Sequence, residues 1–515
     1  MSATSTPSTS KQGGMKALAK DTAIYGLSSI VGRFLNYLLV PLYTAKLAAS
    51  SGGYGVITEV YSYVALLLVL LTFGMETTFF RFVNKEEEQQ PLRVYSTTLW
   101  MVGGTALAFL ALVFTGLEPL SAALDYSAHP EYIGMMAVCV AQDAFQCIPF
   151  AYLRYQRRPV RFATLKLLFI LLNIALNLLF FLVLPALYAK PAWREVVATI
   201  YDPTYGVGYA FLANLLCTSL ITLCFYPELS GFRWTFDGQL ARRMLRYSWP
   251  ILVLGIAGIL NQTADKMIFP RMVSGAEGKV QLGIYGASVK IAMIMAMITQ
   301  AFRYAYEPFV FGKQKEKDNR ALYAKAMKYF LIFTLLAFLL VVGYLDILKY
   351  LIGRSYWEGL RVVPIVMAAE IMMGVYFNLS FWYKLTDRTI WGAWFSGAGC
   401  LVLILVNVLF IPQYGYMACA WAGVAGYGTA MLLSYFVGQR YYPVNYPLKS
   451  IGVYVLITAL FYGIMQAGAH YFPQQPLLRL ALNTGCILFF VAHVVHYDFP
   501  LSNLPLVGKY FRKRS

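Results

Sequence analysis

Successive runs of about 20 predominantly apolar residues occupy most of this chain, and that is the length an α-helix needs to cross a bilayer. They fall near 22–46, 56–83, 94–116, 131–153, 162–187, 205–226, 247–270, 282–311, 327–347, 361–384, 389–411, 416–438, 450–468 and 477–497. Of the 515 residues, 59% are hydrophobic and 13% charged, whereas a soluble domain carries roughly 25% charged and 45–50% apolar residues. A globular core cannot absorb this excess of apolar side chains, but a lipid-facing surface can. The predicted fold class is therefore all-α, a polytopic membrane protein of about 14 transmembrane helices.

Several function classes fall away on composition. A formal charge of +18 would suggest nucleic acid in a soluble chain. Here the basic residues sit mostly between apolar runs, where they orient helices, so no nucleic-acid partner is expected. The seven cysteines (Cys139, Cys147, Cys217, Cys224, Cys400, Cys419, Cys486) all lie inside apolar segments, without metal-ligand spacing. His493 and His496, near the end of the last run, read as interfacial residues rather than metal ligands. No Walker loop or dinucleotide fingerprint occurs, and no soluble stretch is long enough for a nucleotide-hydrolysing domain. Direct ATP coupling and an organic cofactor are thus not expected. Residues 1–20, rich in Ser, Thr, Gly and Lys, are expected to be disordered. Arg33 interrupts the run that follows, which a signal-peptide core would not tolerate.

Lys and Arg gather on alternate connections. One side holds Arg154, Arg157, Arg158 and Arg161, then Arg242, Arg243 and Arg246, then Lys313, Lys315, Lys317 and Arg320. The connections after the third and eleventh runs carry none. By the positive-inside bias both termini are cytoplasmic. The chain also repeats itself at a spacing of about 230 residues. Tyr54-Gly55 opens a run that ends in Glu76 to Phe80, and Tyr285-Gly286 opens one that ends in Glu307 to Phe311. At the same offset Glu59 meets Lys290. Gly26 and Pro41 correspond to Gly255 and Pro270, Asp143 to Glu370, Phe150 and Tyr155 to Phe377 and Trp382, and Asn177 resembles Asn407. The expected organisation is a disordered N-terminus (1–20), a six-helix bundle (21–230), a cytoplasmic linker (231–246), a second six-helix bundle (247–440), two further helices (441–498) and a basic tail (499–515). Six is even, so the two pseudo-symmetric bundles cross in the same sense, related by an axis along the membrane normal with a cavity between them.

Ionisable residues inside apolar runs cost on the order of 2.5–3.5 kcal/mol at mid-bilayer and normally face a cavity or each other. Arg33, Lys166, Lys266, Lys290 and Arg303 are the basic ones. Gln300, Arg303, Tyr304 and Glu307 share one helical face by their i, i+3, i+4, i+7 spacing. Arg303 and Glu307 also have the spacing of a simple intrahelical pair. As a set, Arg33, Lys166, Lys290 and Arg303, with Gln300 and Tyr304, are candidates for holding an anionic ligand such as a phosphate or pyrophosphate. Asp143 and Glu370 are solitary carboxylates at equivalent positions of the two halves. With Glu76, Glu307 and Asp265 they are candidates for H⁺ or Na⁺ coupling, or for gating.

Three segments carry a family resemblance. Val406-Asn407-Val408-Leu409-Phe410-Ile411-Pro412-Gln413-Tyr414-Gly415, followed by Ala418 through Gly423, resembles the Asn–apolar–Ile-Pro-x-Tyr-Gly–small signature of polysaccharide flippases. Tyr376 through Arg388 is similar to the segment after the tenth helix of Wzx-type oligosaccharide flippases. Lys20 through Gly26, with Pro41-Leu42-Tyr43, resembles their first helix. The resemblance implies membership of the multidrug/oligosaccharidyl-lipid/polysaccharide exporter superfamily. It further implies a transporter, not an enzyme, of the bacterial inner membrane. Its substrate would be an undecaprenyl-pyrophosphate-linked oligosaccharide, moved from the cytoplasmic to the periplasmic leaflet. Membrane lipids and polysaccharide polymerase machinery are the implied partners. Arg33, Lys290 and Arg303 would then meet the pyrophosphate head. A peptidoglycan-precursor flippase, a cation-coupled multidrug exporter and a membrane-embedded glycan polymerase or ligase are the competing readings. The short outer loops speak against the last of these.

Overall fold

The computed structural model describes residues 37–84, 90–312, 320–386 and 388–498, with the backbone alone for 304–312. Arg33, the N-terminal segment, most of the first run and the basic tail lie outside the described residues. So do the side chains of Tyr304 and Glu307.

The described residues form helices and no strand. Among the described residues, twelve helices are long and apolar enough to cross a membrane. In chain order the principal elements are α1 (Leu39–Lys46), α2 (Gly53–Thr72), α3 (Met75–Val83), α4 (Pro91–Thr115), α5 (Pro130–Tyr155), α6 (Pro159–Leu178) and the shorter α7 (Gly208–Cys224). They continue as α8 (Gly238–Met272), α9 (Gly275–Gly312), α10 (Arg320–Gly343), α11 (Val363–Leu379), α12 (Ile390–Tyr414), α13 (Tyr416–Tyr441), α14 (Leu448–Tyr471) and α15 (Pro476–Tyr497). Every predicted run after the first coincides with one or two of them. Proline starts α4, α5, α6 and α15, where its missing N–H costs no helical hydrogen bond and its fixed φ already suits a helix. Large apolar side chains such as Leu112, Leu223, Leu401, Leu456 and Leu488 are exposed along the spans, as a lipid solvent requires.

Two expectations change. The second run is not one helix: Phe73 and Gly74 both adopt left-handed backbone (φ 50° and 67°), which breaks it into α2 and α3. Residues 238–246, expected to be linker, are the first turns of α8. Asp237 starts that helix, its Oδ1 accepting from the amides of Gln239 (2.9 Å) and Leu240 (3.2 Å). These hydrogen bonds, that of the Leu240 amide above all, hold the Asp237 carboxyl below its ordinary pKa. Leu240 and Met244, at i and i+4, are fully buried, and the charges of Arg242, Arg243 and Arg246 masked this amphipathic turn in the sequence.

The chain divides into two compact units. Unit 1 runs to Pro270 and takes in Ser274–Gly283, whereas unit 2 holds Arg271–Val273 and the chain from Ile284. Helix α8, which the repeat assigns to the second half, thus groups with the first: Leu240 and Met244 join Phe79, Tyr95, Leu99 and Ile148 in one core. Lipid is as apolar as leucine, so close packing and polar ties stabilise such bundles more than burial itself does.

In unit 2 α12 and α13 cross at glycines. A Cβ on Gly399 would lie 2.7 Å from the Gly426 carbonyl oxygen, and one on Gly426 would lie 2.8 Å from that of Gly399. The appended helix α15 is tied to α10 through Lys328–Asp498 at one end. Near the other end Arg479 pairs with Asp346 (2.9 Å) and Asn483 donates to the Gly343 carbonyl (2.8 Å). Asn177 and Asn407, which the sequence sets at equivalent positions, share a local geometry. Both are fully buried, and each donates its Nδ2 to the carbonyl four residues earlier, that of Asn173 (2.8 Å) or Leu403 (3.0 Å).

Candidate functional site

Three polar constellations interrupt the apolar spans, two in unit 1 and one in unit 2. The first joins α3, α5 and α6. Arg154 pairs with Glu76 and places its guanidinium 5.0 Å over the Phe80 ring. The Lys166 ammonium lies 3.9 Å over Phe150 and within electrostatic reach of Asp143, Glu76 and Cys147. Beside this group on α5, Gln146 donates to the Thr218 carbonyl (2.9 Å) and to Thr222 (2.8 Å), tying α5 to α7. The sequence offers Lys166 for an anion and Asp143 for a coupling ion, whereas the structure brings the two together. Arg154 and Lys166 balance Glu76 and Asp143, so the surplus of positive charge expected of the site does not reside in this group.

A cation among apolar helices keeps its charge most readily beside a carboxylate, so removing one partner strands the other. Asp143→Asn and Lys166→Met are each expected to lower the melting temperature of the purified protein. The double variant should lie above the sum of the two losses, with a coupling of about 1–3 kcal/mol. Strict additivity would show that the two charges do not interact.

In unit 2, Arg303 is exposed although it lies on a membrane-spanning helix. Its guanidinium sits 5.0 Å over the Phe377 ring of α11 and within electrostatic reach of Tyr383. Tyr383 donates to the Tyr376 hydroxyl (3.4 Å), and Tyr376 to the Gly392 carbonyl (3.1 Å). Gln300 follows Arg303's face one turn earlier. Lys290 lies further along α9, and Glu370 lies on α11, all three half-buried. Asp265 of α8, in unit 1, is held by its neighbour Lys266, 3.0 Å away.

The third constellation was not among the sequence candidates. Glu59 of α2 is 1% exposed and accepts a 2.7 Å hydrogen bond from the Tyr126 hydroxyl. Burial, reinforced by the Glu59 charge, pushes the Tyr126 pKa far above its ordinary value, so the hydroxyl remains a donor. Lys279, in the first turn of α9, lies 4.4 Å over the Tyr126 ring. Its ammonium donates to the Asp125 carbonyl (2.8 Å) and pairs with the Asp125 carboxylate (3.3 Å). The available signal was the carboxylate of Glu59 in an apolar run. Its partner, 67 residues away, was invisible there.

Comparison with known proteins bears on the family and the fold. The profile of the family described as "Polysaccharide biosynthesis protein" matches residues 18–305, more than half of the chain. The uncharacterized membrane protein YabM of Bacillus subtilis (strain 168) is 20% identical, over 90% of this chain and 91% of its own. Among solved structures, the lipid II flippase MurJ in its inward closed conformation has a similar fold: TM-score 0.69, 13% identity, 92% of this chain and 98% of that one. The MATE multidrug transporter DinF-BH is similar too: TM-score 0.58, 15% identity, 82% of this chain and 95% of that one. The fold is thus that of polytopic transporters of the MurJ and MATE kind, and on the family match the chain belongs to the polysaccharide biosynthesis protein family.

Proposed function

We propose that this protein moves an undecaprenyl-pyrophosphate-linked oligosaccharide from the cytoplasmic to the periplasmic leaflet by alternating access, for O-antigen, capsule or exopolysaccharide synthesis. The observation that carries this reading is the exposure of Arg303, a charged residue, on a spanning helix. Lipid is a poor host for such a charge, so its natural surroundings are a water-filled path. Among the groups that use a path lined by a planar, bidentate cation, a pyrophosphate is the best match. A glycan–pyrophosphate cannot cross hydrocarbon unaided, because its charges and hydroxyls would lose their hydration. Arg303, with Lys290 and Gln300 on the same helix, would replace that hydration while the lipid tail stays in the bilayer. Asp143 and Glu370 would take up H⁺ or Na⁺ to drive the cycle. No covalent bond is made or broken in this scheme.

The fold likeness to a lipid II flippase favours a second reading, transport of the peptidoglycan precursor, which presents the same pyrophosphate chemistry. Expression in two bacterial strains separates them, one lacking its oligosaccharide flippase and one depleted of its lipid II flippase. Restoration of periplasmic lipid-linked oligosaccharide in the first strain alone is the expected result. Rescue of the second alone moves the substrate to the peptidoglycan precursor. Rescue of neither, with gradient-dependent export of a cationic dye, would overturn the flippase reading in favour of a multidrug exporter.

A further inference from the structure

At one end of unit 1 a pocket of about 320 Å³ lies between the start of α2, the segment before α5, the segment before α7 and the first turn of α9. Its walls include Tyr126, His129, Tyr132, Thr204, Tyr205 and Lys279. By the basic-residue bias of the connections this is the periplasmic end. We propose that the pocket is a subsite for one neutral sugar unit of the translocated glycan, a proposal that takes its ligand class from the flippase reading.

The walls are aromatic and their charges are already paired. His129 stacks on Tyr132 (4.7 Å between centroids, 7° between planes) and hydrogen-bonds Glu131 at 2.9 Å, leaving its outer face exposed. Tyr205 meets Tyr132 edge to face at 5.9 Å, and its backbone carbonyl accepts from the Tyr132 hydroxyl at 3.1 Å. Lys279 is neutralised by Asp125, so an anionic ligand would find no free cation among these walls. A ligand with apolar C–H faces and many hydroxyls suits such walls better: aromatic faces take the first, and loop carbonyls and hydroxyls the second. The volume is at the small end for ligand pockets, too small for a whole lipid-linked glycan.

The pocket is also held in shape. Its floor, Tyr126, is fixed from behind by Glu59 and from above by Lys279. Asp125 adopts a left-handed conformation (φ 63°) that the Lys279 bond to its carbonyl stabilises, and Gly206 on the facing loop does the same (φ 52°). Beside it Asp202 is fixed by the Thr204 hydroxyl (2.7 Å) and amide (2.8 Å), which lower its carboxyl pKa. Walls fixed in advance are what weak stacking needs in order to discriminate.

The test uses the full-length protein in lipid nanodiscs and saturation-transfer NMR with glucose, galactose, N-acetylglucosamine, lactose and glucuronate. At least one neutral sugar should receive saturation. His129→Ala, on an exposed side chain, and Tyr205→Ala should each weaken its binding about tenfold, the effect of losing one aromatic contact. No neutral-sugar signal, a signal unchanged in both variants, or a preference for glucuronate would overturn the subsite. The flippase reading is scored separately on the wild type. Lipid-linked glycan transport without sugar binding removes the subsite and leaves the flippase. Sugar binding lost in both variants, without any such transport, leaves the subsite and removes the flippase.

Discussion

Gly55→Ala is expected to lower the stability of the purified protein by roughly 1–3 kcal/mol, and Gly55→Leu to prevent its accumulation in the membrane. The reason is the crossing of α2 with the first turns of α9. A Cβ on Gly55 would lie 1.8 Å from the Lys279 carbonyl oxygen and 2.8 Å from its carbonyl carbon, and one on Gly283 would lie 2.9 Å from the Gly55 amide nitrogen. These obstacles are backbone, not the flexible tip of a side chain, so the two helices would have to separate by about 1 Å. In a membrane, where association rests on close packing, such a separation removes contacts that no hydrophobic gain restores. The same crossing carries Lys279 to Tyr126, so the pocket should open with it. Gly104→Ala serves as the control, since a Cβ there meets nothing within 4 Å. Thermal unfolding monitored by size-exclusion fluorescence decides the matter. Equal melting temperatures for the Gly55 and Gly104 variants would show that the helices do not cross this closely.

Arg303→Ala is expected to reduce lipid-linked glycan transport by roughly 1.5 to 3.5 orders of magnitude, with membrane levels at or above those of the wild type. Removing one partner of a desolvated, hydrogen-bonded charge pair costs about 2–5 kcal/mol of binding, and each 1.4 kcal/mol is a factor of about ten. The fold itself should not suffer, because Arg303 is an exposed residue whose guanidinium lies over the Phe377 ring at 5.0 Å and not inside a packed core. Arg303→Lys should retain part of the activity, keeping the charge but not the planar fork that matches a phosphate bidentately. Tracking glycan in the complemented strain checks both variants. Wild-type transport by Arg303→Ala would sink the anionic-head reading, and loss of membrane accumulation would mark Arg303 as a structural residue instead.

Part of the candidate site was legible in the sequence because it depends on single charged residues in an apolar background. Arg303, Lys166 and Asp143 announce themselves by charge alone. The electrostatic coupling of Lys166 with Asp143 did not, because they sit on neighbouring helices whose rotation about their axes is set by packing. Arg154 looked like one of several topology-setting charges, and its pairing with Glu76 depends on where α3 passes α5. Glu59 was visible as the counterpart of Lys290, yet its role depends on Tyr126, which reaches it across 67 residues of chain.

Taken alone, the sequence determined that the chain is a bundle of membrane-spanning helices and where almost every helix lies. Those properties follow from run length, charge and periodicity, all local to the chain. Tertiary structure decided the break at Phe73–Gly74, the extension of α8 back to Gly238, the grouping of that helix with unit 1, and the walled pocket behind Lys279. Each of these turns on which face of one helix meets another, and in an all-apolar span many faces satisfy the hydrophobic pattern equally well, so packing alone selects among them.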